Sequence, residues 1–322
     1  PQGVPDEGLF ELVETDVPEP GEGQLLIRNA FLSVDPYMRA RMNDVRSYVA
    51  PYTLGEAMTG GAVGRVVASR NERFPEGSWV AHQLGWREWA VSDGRGLLPV
   101  DPLLAPVQTA LGVLGMPGFA AWHGLSLGEP KEGETVWVSA AAGAVGSTAG
   151  QIAKLRGCRV IGSAGSPEKL AWLRELGFDA AFGYRDRPLH DSLREVAPDG
   201  IDVYFDNVGG DHLEAAIHAM RNHGRIVACG AIAHYNAVEP PPGPRNLFMI
   251  VTKRLTVRGF IISDHYDRFG EFLAEMGPWV RDGLVRHHET IVDGIENAPR
   301  AFLGLLEGAN VGKMLVRVGP TD

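Results

Sequence analysis

Cysteine is scarce in this sequence of 322 residues, which contains only Cys158 and Cys229. Two cysteines are too few for a disulfide framework or for a four-cysteine structural zinc site. No run reaches the roughly 18 to 20 apolar residues that a membrane-spanning helix needs, and the first residues lack the basic and then apolar pattern of a secretion signal. We therefore expect a cytoplasmic protein without a membrane partner.

Basic residues are also in short supply. Lys and Arg number 30 against 40 Asp and Glu, which gives a formal net charge of −10 at pH 7. Without a long basic run, this balance argues against nucleic acid or an anionic membrane surface as the partner. The sequence is 44% hydrophobic, enough for a buried core, and its length favours two domains. The partner that we expect is a small molecule.

The character of the sequence changes near its first third. Residues 1–117 are rich in Gly and Pro and carry short alternating segments, which predict a mostly β domain. From Glu134 apolar runs alternate with helical patterns, which predicts βαβ units and a parallel sheet. The predicted strands are 135–141, 159–165, 179–184, 202–208, 224–230, 255–262 and 313–319, and the predicted helices are 144–156, 167–176, 188–197, 211–222 and 298–307. The last strand follows the end of the alternation, so we expect it to return to the first domain.

A glycine-rich turn follows the first of these apolar strands. Gly143, Ala144, Val145 and Gly146 match a dinucleotide fingerprint that has Ala141 in place of its first glycine. Small residues let the backbone approach a pyrophosphate, whose charge then faces the N-terminus of a helix. Because the turn follows a strand, opens a helix and begins a βαβ unit, we interpret it as a dinucleotide site rather than only a tight turn.

The end of the next strand indicates which dinucleotide binds. An NAD site usually carries Asp or Glu there, about 20 residues after the turn, to bind the ribose hydroxyls. This sequence has no carboxylate at that strand end, and Ser166 and Lys169 follow it. A carboxylate would repel a 2′-phosphate, whereas these two side chains could bind one. NADP(H) is the predicted cofactor, and a solvated first-turn lysine is the alternative for Lys169.

Several segments together resemble a known family. They are AAAGAVGSTAGQIAKLRGCRVIGSAGSPEKL (140–170), VDPYMR (34–39), LGMPGFAAW (114–122), YFDNVGG (204–210), PPGP (241–244) and GANVGK (308–313). With them the chain resembles the zinc-independent medium-chain reductases that include leukotriene B4 12-hydroxydehydrogenase/prostaglandin reductase and NADP-dependent alkenal double-bond reductases. The resemblance covers nearly the whole chain. It implies an α/β protein with a GroES-like, mostly β domain and a Rossmann domain built on a doubly wound parallel sheet.

The resemblance also implies domain limits and an assembly. The GroES-like domain would comprise residues 1–117, rejoined by 283–322, and the Rossmann domain residues 118–282, with the active cleft at their seam. Family members commonly dimerise through the edges of their Rossmann sheets. We therefore expect a homodimer with the strand at 255–262 in its interface.

The resemblance further implies an activity and its binding residues. The activity is NADPH-dependent reduction of the carbon–carbon double bond of small hydrophobic α,β-unsaturated aldehydes and ketones. Lys169 would bind the 2′-phosphate, Tyr184 would lie beside the adenosine, and residues 143–146 would bind the pyrophosphate. The other implied cofactor contacts are Asn207, a loop from Cys229 through Gly230 and Ala231 to Tyr235, a strand with Phe260, Ile261 and Ile262 along the nicotinamide, and Asn310.

No metal is expected at the active site. Zinc-dependent relatives carry a cysteine near the VDPYMR segment and a following Gly-His-Glu, whereas this sequence has Asp35 and then Gly55-Glu56-Ala57. Negative charge that develops on a substrate oxygen must then be stabilised by hydrogen-bond donors, and tyrosine is a suitable one. Tyr266 is our first candidate and Tyr37 our second, with Tyr52, Tyr235 and the ribose hydroxyl of the cofactor as alternatives. A purely space-filling role also stays open for Tyr37 and Tyr266.

Two other functions remain open at this point. An NADPH:quinone reductase of the same superfamily would share the apolar slot and the lack of zinc ligands. An NADPH-binding regulatory protein with little turnover would keep the phosphate-binding turn but would need no proton donor. An alcohol dehydrogenase is disfavoured because its metal ligands are missing.

Overall fold

The computed structural model describes residues 1–239 and 241–321. Its strands are β1 (Leu25–Ser33), β2 (Ala62–Ser69), β3 (Trp79–His82), β4 (Trp89–Ser92), β5 (Leu98–Val100), β6 (Thr135–Val138), β7 (Arg159–Ala164), β8 (Ala180–Gly183), β9 (Ile201–Asp206), β10 (Met220–Ala228), β11 (Thr256–Gly259), β12 (Glu289–Asp293) and β13 (Lys313–Arg317). Its α-helices are α1 (Tyr37–Arg41), α2 (Met116–Gly128), α3 (Ala144–Leu155), α4 (Pro167–Glu175), α5 (Leu189–Val196), α6 (Gly210–Ala219), α7 (Phe248–Thr252), α8 (Phe269–Arg281) and α9 (Ala298–Glu307). Among these described helices none is long and apolar enough to cross a membrane.

The chain forms two compact units. The first contains residues 3–115 and the segment from Glu289 onward, and the second contains residues 116–288. In the first unit the strands pair in the order β12-β13-β1-β2-β3-β5, with β4 also on β1. Strand β13 is antiparallel to β1, where Phe31 faces Arg317, and parallel to β12. The last predicted strand therefore pairs with the N-terminal segment, as the sequence indicates.

A buried lysine joins the ends of β1 and β13. The Lys313 Nζ donates to Val34 O at 2.7 Å, to Met314 O at 3.0 Å and to Asp35 Oδ1 at 3.0 Å. Burial lowers the pKa of Lys313, and the neighbouring Asp35 acts in the opposite direction. The Ser33 hydroxyl donates to the other oxygen of the Asp35 carboxylate. The polar groups of this lysine and carboxylate are thus satisfied inside the sheet, as burial of charge requires.

The second unit has a parallel sheet in the order β11-β10-β9-β6-β7-β8. The residues of β6 are all buried, and Trp137 on this strand stacks on Tyr204 of β9 with ring centres 4.5 Å apart. Strands buried on both faces read as apolar runs, which is why the sequence predicts them well. The strand order reverses between β6 and its neighbours β7 and β9, so ligands are expected at the carboxyl ends of these strands. The predicted Rossmann arrangement is confirmed.

The predicted strand 255–262 is wrong at its C-terminal end. Strand β11 ends at Gly259, and a 3₁₀ segment runs over Ile262–Arg268, so Phe260, Ile261 and Ile262 lie outside the strand. The partner strand β10 ends at Ala228, opposite Gly259. Beyond Ala228, the amides of Cys229 and Gly230 both donate to Asp206 O of β9, at 2.9 and 3.0 Å, so neither is directed at β11. Residues after Gly259 therefore have no strand to pair with.

Helix α6 and strand β12 also differ from the sequence expectation. Helix α6 ends at Ala219 and β10 begins at Met220, because Met220 already pairs with Ile201 of β9. Strand β12 is not among the predicted strands. Its residues Glu289–Asp293 are only partly buried or exposed, and an edge strand of this kind lacks the apolar run that marks a buried strand.

Candidate cofactor and catalytic site

The glycine-rich turn leaves backbone amides at the start of α3 for an anion. Gly143 is the N-cap residue and provides no side-chain cap to the helix. The first amides of a helix have no partner within the helix and attract negative charge. Gly143 N donates to Ala140 O at 3.0 Å, which closes the turn between β6 and α3. The amides of Ala144, Val145 and Gly146 follow this turn directly.

Close packing explains which positions of this turn must be small. A Cβ at Gly146 would lie 2.5 Å from Ala140 O and 2.8 Å from Ala141 Cα, so α3 could not approach the strand with any larger residue. Ala141 stands where the fingerprint has its first glycine, and it is fully buried. A Cβ at Gly162 of β7 would lie 2.9 Å from the Ala141 Cβ. The glycine on the neighbouring strand thus provides the space that Ala141 occupies.

The predicted 2′-phosphate residues lie at the ends of β7 and β8. Ser166 is the N-cap residue of α4 and accepts from Lys169 N at 3.4 Å. Burial, and then the charge of Arg185, lowers the pKa of Lys169, whereas Glu168 raises it. Tyr184 N donates to Ala164 O at 3.3 Å. The Tyr184 hydroxyl would lie 2.7 Å from a Cβ at Gly165, so this tyrosine lies over a position that only glycine leaves open.

Arg185 is a site residue that the sequence reasoning missed. Its guanidinium carbon lies 5.7 Å from the centre of the Tyr184 ring, and its charge is a cause of the lowered Lys169 pKa. Arg185 therefore lies beside Tyr184, and its charge acts on Lys169. The available signal was a basic residue directly after Tyr184, at the end of a strand next to β7.

A network of hydrogen bonds connects the residues that follow β6 and β9, which border a crevice at the carboxyl ends of these strands. Asn207 N donates to Ser139 Oγ at 3.0 Å, and Asn207 Nδ2 donates to Ser139 O at 2.8 Å. The buried Asp206 carboxylate accepts from Val208 N at 2.9 Å, Gly209 N at 2.8 Å and the Tyr204 hydroxyl at 2.8 Å. Asn207 thus has a fixed side chain at the switch point. Ser139 and Asp206, which the sequence reasoning did not single out, set its position.

The loop after β10 rests on the same network. The amides of Cys229 and Gly230 donate to Asp206 O at 2.9 and 3.0 Å, and Ile232 N donates to Asn207 O at 3.2 Å. Burial raises the pKa of Cys229 to about 12, so its thiol stays protonated at neutral pH and is no nucleophile. Burial also raises the pKa of Tyr235. The predicted loop residues Cys229, Gly230, Ala231 and Tyr235 therefore lie beside Asn207, as one edge of the crevice.

Tyr266 lies in the 3₁₀ segment that follows β11. Its side chain is 41% exposed, while its ring lies 5.9 Å from Phe119 and 5.8 Å from Phe269, measured between ring centres. Phe260 comes directly after β11, and its ring packs edge-on against His123 at 5.3 Å. Tyr266 thus has a supported ring and is accessible to a ligand.

Tyr37 and Asn310 belong to the first unit. Tyr37 opens α1, and burial together with the Asp35 charge raises its pKa well above the ordinary range. Tyr52, another tyrosine candidate, donates from its hydroxyl to Thr59 O at 3.1 Å and is covered by the Arg41 guanidinium at 4.0 Å. The buried Asn310 donates from Nδ2 to Gly312 O at 2.7 Å. Of the two tyrosines, Tyr52 has an engaged hydroxyl, whereas Tyr37 is a partly buried phenol whose raised pKa keeps it protonated.

No three His, Cys, Asp or Glu side chains of residues 1–239 and 241–321 come together as they would around a metal ion. His82 has a structural role in the first unit. Its Nε2 lies 2.8 Å from Asn29 Oδ1, and its Nδ1 accepts from Leu84 N at 3.1 Å. Burial lowers the pKa of His82 to about 4, so it stays neutral near pH 7.

Comparison with known proteins identifies relatives over the full length of the chain. The family model described as N-terminal domain of oxidoreductase matches residues 1–100, and the one described as Zinc-binding dehydrogenase matches residues 144–277. The chain is 45% identical to the NADPH-dependent curcumin reductase of Escherichia coli, over 100% of this chain and 95% of that protein. It is 46% identical to prostaglandin reductase 1 of Mus musculus, over 98% and 96%.

The chain belongs to the medium-chain reductase family that contains the prostaglandin, 2-alkenal and curcumin reductases. The crystal structure of CurA from Vibrio vulnificus in complex with NADPH is similar to it, with a TM-score of 0.94 and 45% identity over 99% of this chain and 97% of that one. In this family member, the residues of the second unit fit a dinucleotide with a 2′-phosphate. Uncapped amides follow a turn where only glycine fits, and two cations lie at the neighbouring strand ends.

Proposed function

We propose that this protein uses NADPH to reduce the carbon–carbon double bond of α,β-unsaturated aldehydes and ketones. The observation that carries the proposal is that two cations, Lys169 and Arg185, follow the paired strands β7 and β8 after the glycine-rich turn of a family member. This pair favours the phosphorylated dinucleotide, because two positive charges attract a 2′-phosphate. The relatives named curcumin reductase and prostaglandin reductase support the class of substrate.

Different residues of the second unit contact different parts of the cofactor. The amides of Ala144 to Gly146 bind the pyrophosphate, and Ser166, Lys169 and Arg185 bind the 2′-phosphate. Tyr184 covers the adenosine, while Asn207 and the loop from Cys229 to Tyr235 hold the part that lies in the crevice. Phe260, Ile261 and Ile262, at the carboxyl end of β11, adjoin the nicotinamide. Asn310 is a further proposed cofactor contact.

The chemistry requires a donor for an oxyanion. When bound, the cofactor would supply a hydride to the β-carbon of the substrate. The resulting enolate would carry charge on its oxygen until its α-carbon takes a proton from solvent or from a nearby hydroxyl. A tyrosine hydroxyl can donate a hydrogen bond to that oxygen without ionising first. Tyr266 is the residue that we propose, because its ring is supported and its side chain is accessible. Tyr37 is the second candidate, because its raised pKa keeps it protonated.

We propose that the reaction is independent of zinc. Asp35 stands in the segment where zinc-dependent relatives carry a cysteine, and its carboxylate is already engaged by Lys313 and Ser33. A carboxylate that compensates a buried lysine is not available to a metal ion. We also propose that the protein is cytoplasmic. Its two cysteines are free thiols, as is usual in a reducing compartment. Fractionation of the source cell, followed by immunoblotting, would test this.

The activity can be tested by following NADPH oxidation with a long-chain 2-alkenal, a conjugated enone and a benzoquinone in parallel. We expect oxidation with the alkenal and the enone, and chromatography of the products should show the saturated aldehyde rather than the allylic alcohol. Turnover of the benzoquinone alone would favour the quinone reductase alternative. Binding of NADPH without oxidation by any of the three would favour a regulatory protein.

We propose that the protein is a homodimer joined at β11. This strand is at one edge of the parallel sheet, all of its residues are exposed, and Val257 is 47% exposed. An open edge with an exposed apolar residue needs covering. In a two-fold dimer joined along this four-residue strand, Val257 would lie near the axis and so close to Val257 of the second copy.

Val257→Asp is therefore expected to convert dimers into monomers, because two carboxylates would face each other across the axis. Light scattering coupled to size-exclusion chromatography would measure the mass. Ile291→Asp, on the edge strand β12 of the other sheet, is the matched control and should leave the mass unchanged. A wild-type monomer, or a Val257→Asp dimer of unchanged stability, would remove β11 from the interface.

A further inference from the structure

One face of α2 supports the segment that carries Tyr266. Phe119, Trp122 and His123 are spaced as i, i+3 and i+4, so they lie on the same side of the helix, and all three are buried. We call these three residues the α2 platform. Each of them contacts a different residue of the segment Ile262–Arg268, and the platform and the segment both belong to the second unit.

The contacts of the platform follow one another along the segment. The rings of His123 and His265 are stacked, with centres 3.9 Å apart and planes inclined by 28°. The Phe119 ring lies 5.9 Å from the Tyr266 ring, and the Arg268 guanidinium lies 4.7 Å from the centre of the Trp122 ring. Three of the four residues from His265 to Arg268 are thus held by the same helix face.

The histidine stack coincides with a break in the backbone. His265 has φ −123° and ψ 18°, which interrupts the 3₁₀ segment immediately before Tyr266. A short 3₁₀ turn is stabilised by few backbone hydrogen bonds. The contacts of its side chains therefore contribute strongly to its position. The stack on His123 fixes the ring of His265 at this kink. The direction in which the next residue, Tyr266, leaves the backbone therefore depends on the stack.

The surroundings of His123 favour a fixed, uncharged ring. Burial, and then the charges of His265 and Arg268, lowers the pKa of His123 to about 4, against a smaller opposite effect of Asp267. Arg268 Nη1 lies 3.4 Å from His123 Nδ1, while Arg268 also donates to Glu271 Oε2 at 3.0 Å from Nη2. On the same platform, Trp122 Nε1 donates to Glu275 Oε2 at 2.6 Å. The platform is thereby tied to α8 as well as to the segment.

We propose that His123 is a positioning residue for the reduction, which holds the kink at His265 so that the Tyr266 hydroxyl points to the carbonyl oxygen of the substrate. The inference rests on the proposed role of Tyr266 in enone reduction. A displacement of about 1 Å of a catalytic group can cost about 100-fold in rate. Loss of the stack would therefore lower turnover without any contact between His123 and the substrate.

A double-mutant cycle tests the inference. His123→Ala should lower kcat with an enone by about 10-fold, and by a larger factor than it raises the Kd for NADPH, since His123 also packs against Phe260, a proposed nicotinamide contact. His123→Phe, which keeps a ring against His265, should restore most of this loss. In a Tyr266→Phe background, His123→Ala should change kcat less than about 2-fold, because the group that it positions is already absent.

Further variants separate this role from a merely structural one. His265→Ala removes the partner of the stack without opening a cavity under α2, and it should reproduce the kcat loss even if His123→Ala is poorly folded. His190→Ala, which disrupts the ring contact of His190 with His218 at 4.4 Å on α5 and α6, is the matched control and should leave kcat unchanged.

Three results would overturn the inference: an equal loss in the wild-type and Tyr266→Phe backgrounds, a loss that His123→Phe does not restore, or full activity of His265→Ala. A wild-type enzyme that does not turn over enones would instead refute the proposed function. An unchanged kcat of Tyr266→Phe alone would refute the role of Tyr266 itself.

Discussion

Replacing Lys169 with alanine is expected to raise the Kd for NADPH by about 10- to 100-fold and to leave the Kd for NADH nearly unchanged. A hydrogen bond between charged groups contributes about 1.5 to 3 kcal/mol, which corresponds to this range of affinity. NADH lacks the 2′-phosphate, so it has no interaction with Lys169 to lose. Fluorescence titration of the purified protein with each nucleotide would measure both constants.

Arg185 determines how complete this loss is. Because Arg185 follows β8 and Lys169 follows the paired strand β7, Lys169→Ala should keep part of the preference for NADPH, and addition of Arg185→Ala should remove the rest. Lys154→Ala is the matched control, since the amine of Lys154 pairs with Asp179 at 2.9 Å at the other end of α3. Equal weakening of both nucleotides by Lys169→Ala, or no weakening, would mean that the 2′-phosphate is bound elsewhere.

Tyr266→Phe is expected to lower the turnover of an enone by about 10- to 100-fold, which corresponds to about 1.4 to 2.7 kcal/mol of transition-state stabilisation. The substitution removes only the hydroxyl, so the ring contacts with Phe119 and Phe269 remain and the affinity for NADPH should be preserved. Steady-state kinetics with saturating NADPH would give kcat and kcat/KM.

Tyr37→Phe, measured beside it, decides between the two candidates. A normal rate for Tyr266→Phe together with a slow Tyr37→Phe would transfer the role to Tyr37. Normal rates for both variants would leave the ribose hydroxyl of the cofactor as the donor. Since Tyr37 is partly buried and packs against the core of the first unit, the melting temperature of each variant should be measured with its rate.

Elements with local signals could be predicted from the sequence. Helix α9 occupies the predicted residues, Ala298–Glu307, because Pro299 stands in its first turn and Gly308 ends it with a left-handed φ of 79°. The glycine-rich turn could also be predicted, since its glycines, its strand and its helix are neighbours in sequence. Both are features in which the residues that cause the structure are adjacent.

Features that depend on distant partners could not be predicted in this way. The end of β11 is set by where β10 stops, and the conformation of Asn207 is set by Ser139, which is 68 residues away in sequence. Arg185 can be assigned to the 2′-phosphate site only once β8 is known to pair with β7. The contacts between the α2 platform and the segment Ile262–Arg268 could not be predicted either, because the platform residues lie about 145 positions before Arg268 in the sequence.

The pairing of β1 with β13 has a consequence for the order of events during synthesis. Residues 116–288 are continuous, so every strand of the parallel sheet has left the ribosome before position 313 is translated. Strand β1 precedes these strands in the sequence, whereas Arg317, the partner of its Phe31, follows them. Until β13 is made, the end of β1 from Phe31 to Ser33 has no partner on that edge, because β4 pairs only with Leu25–Arg28, and an unpaired apolar strand edge in a nascent chain favours aggregation.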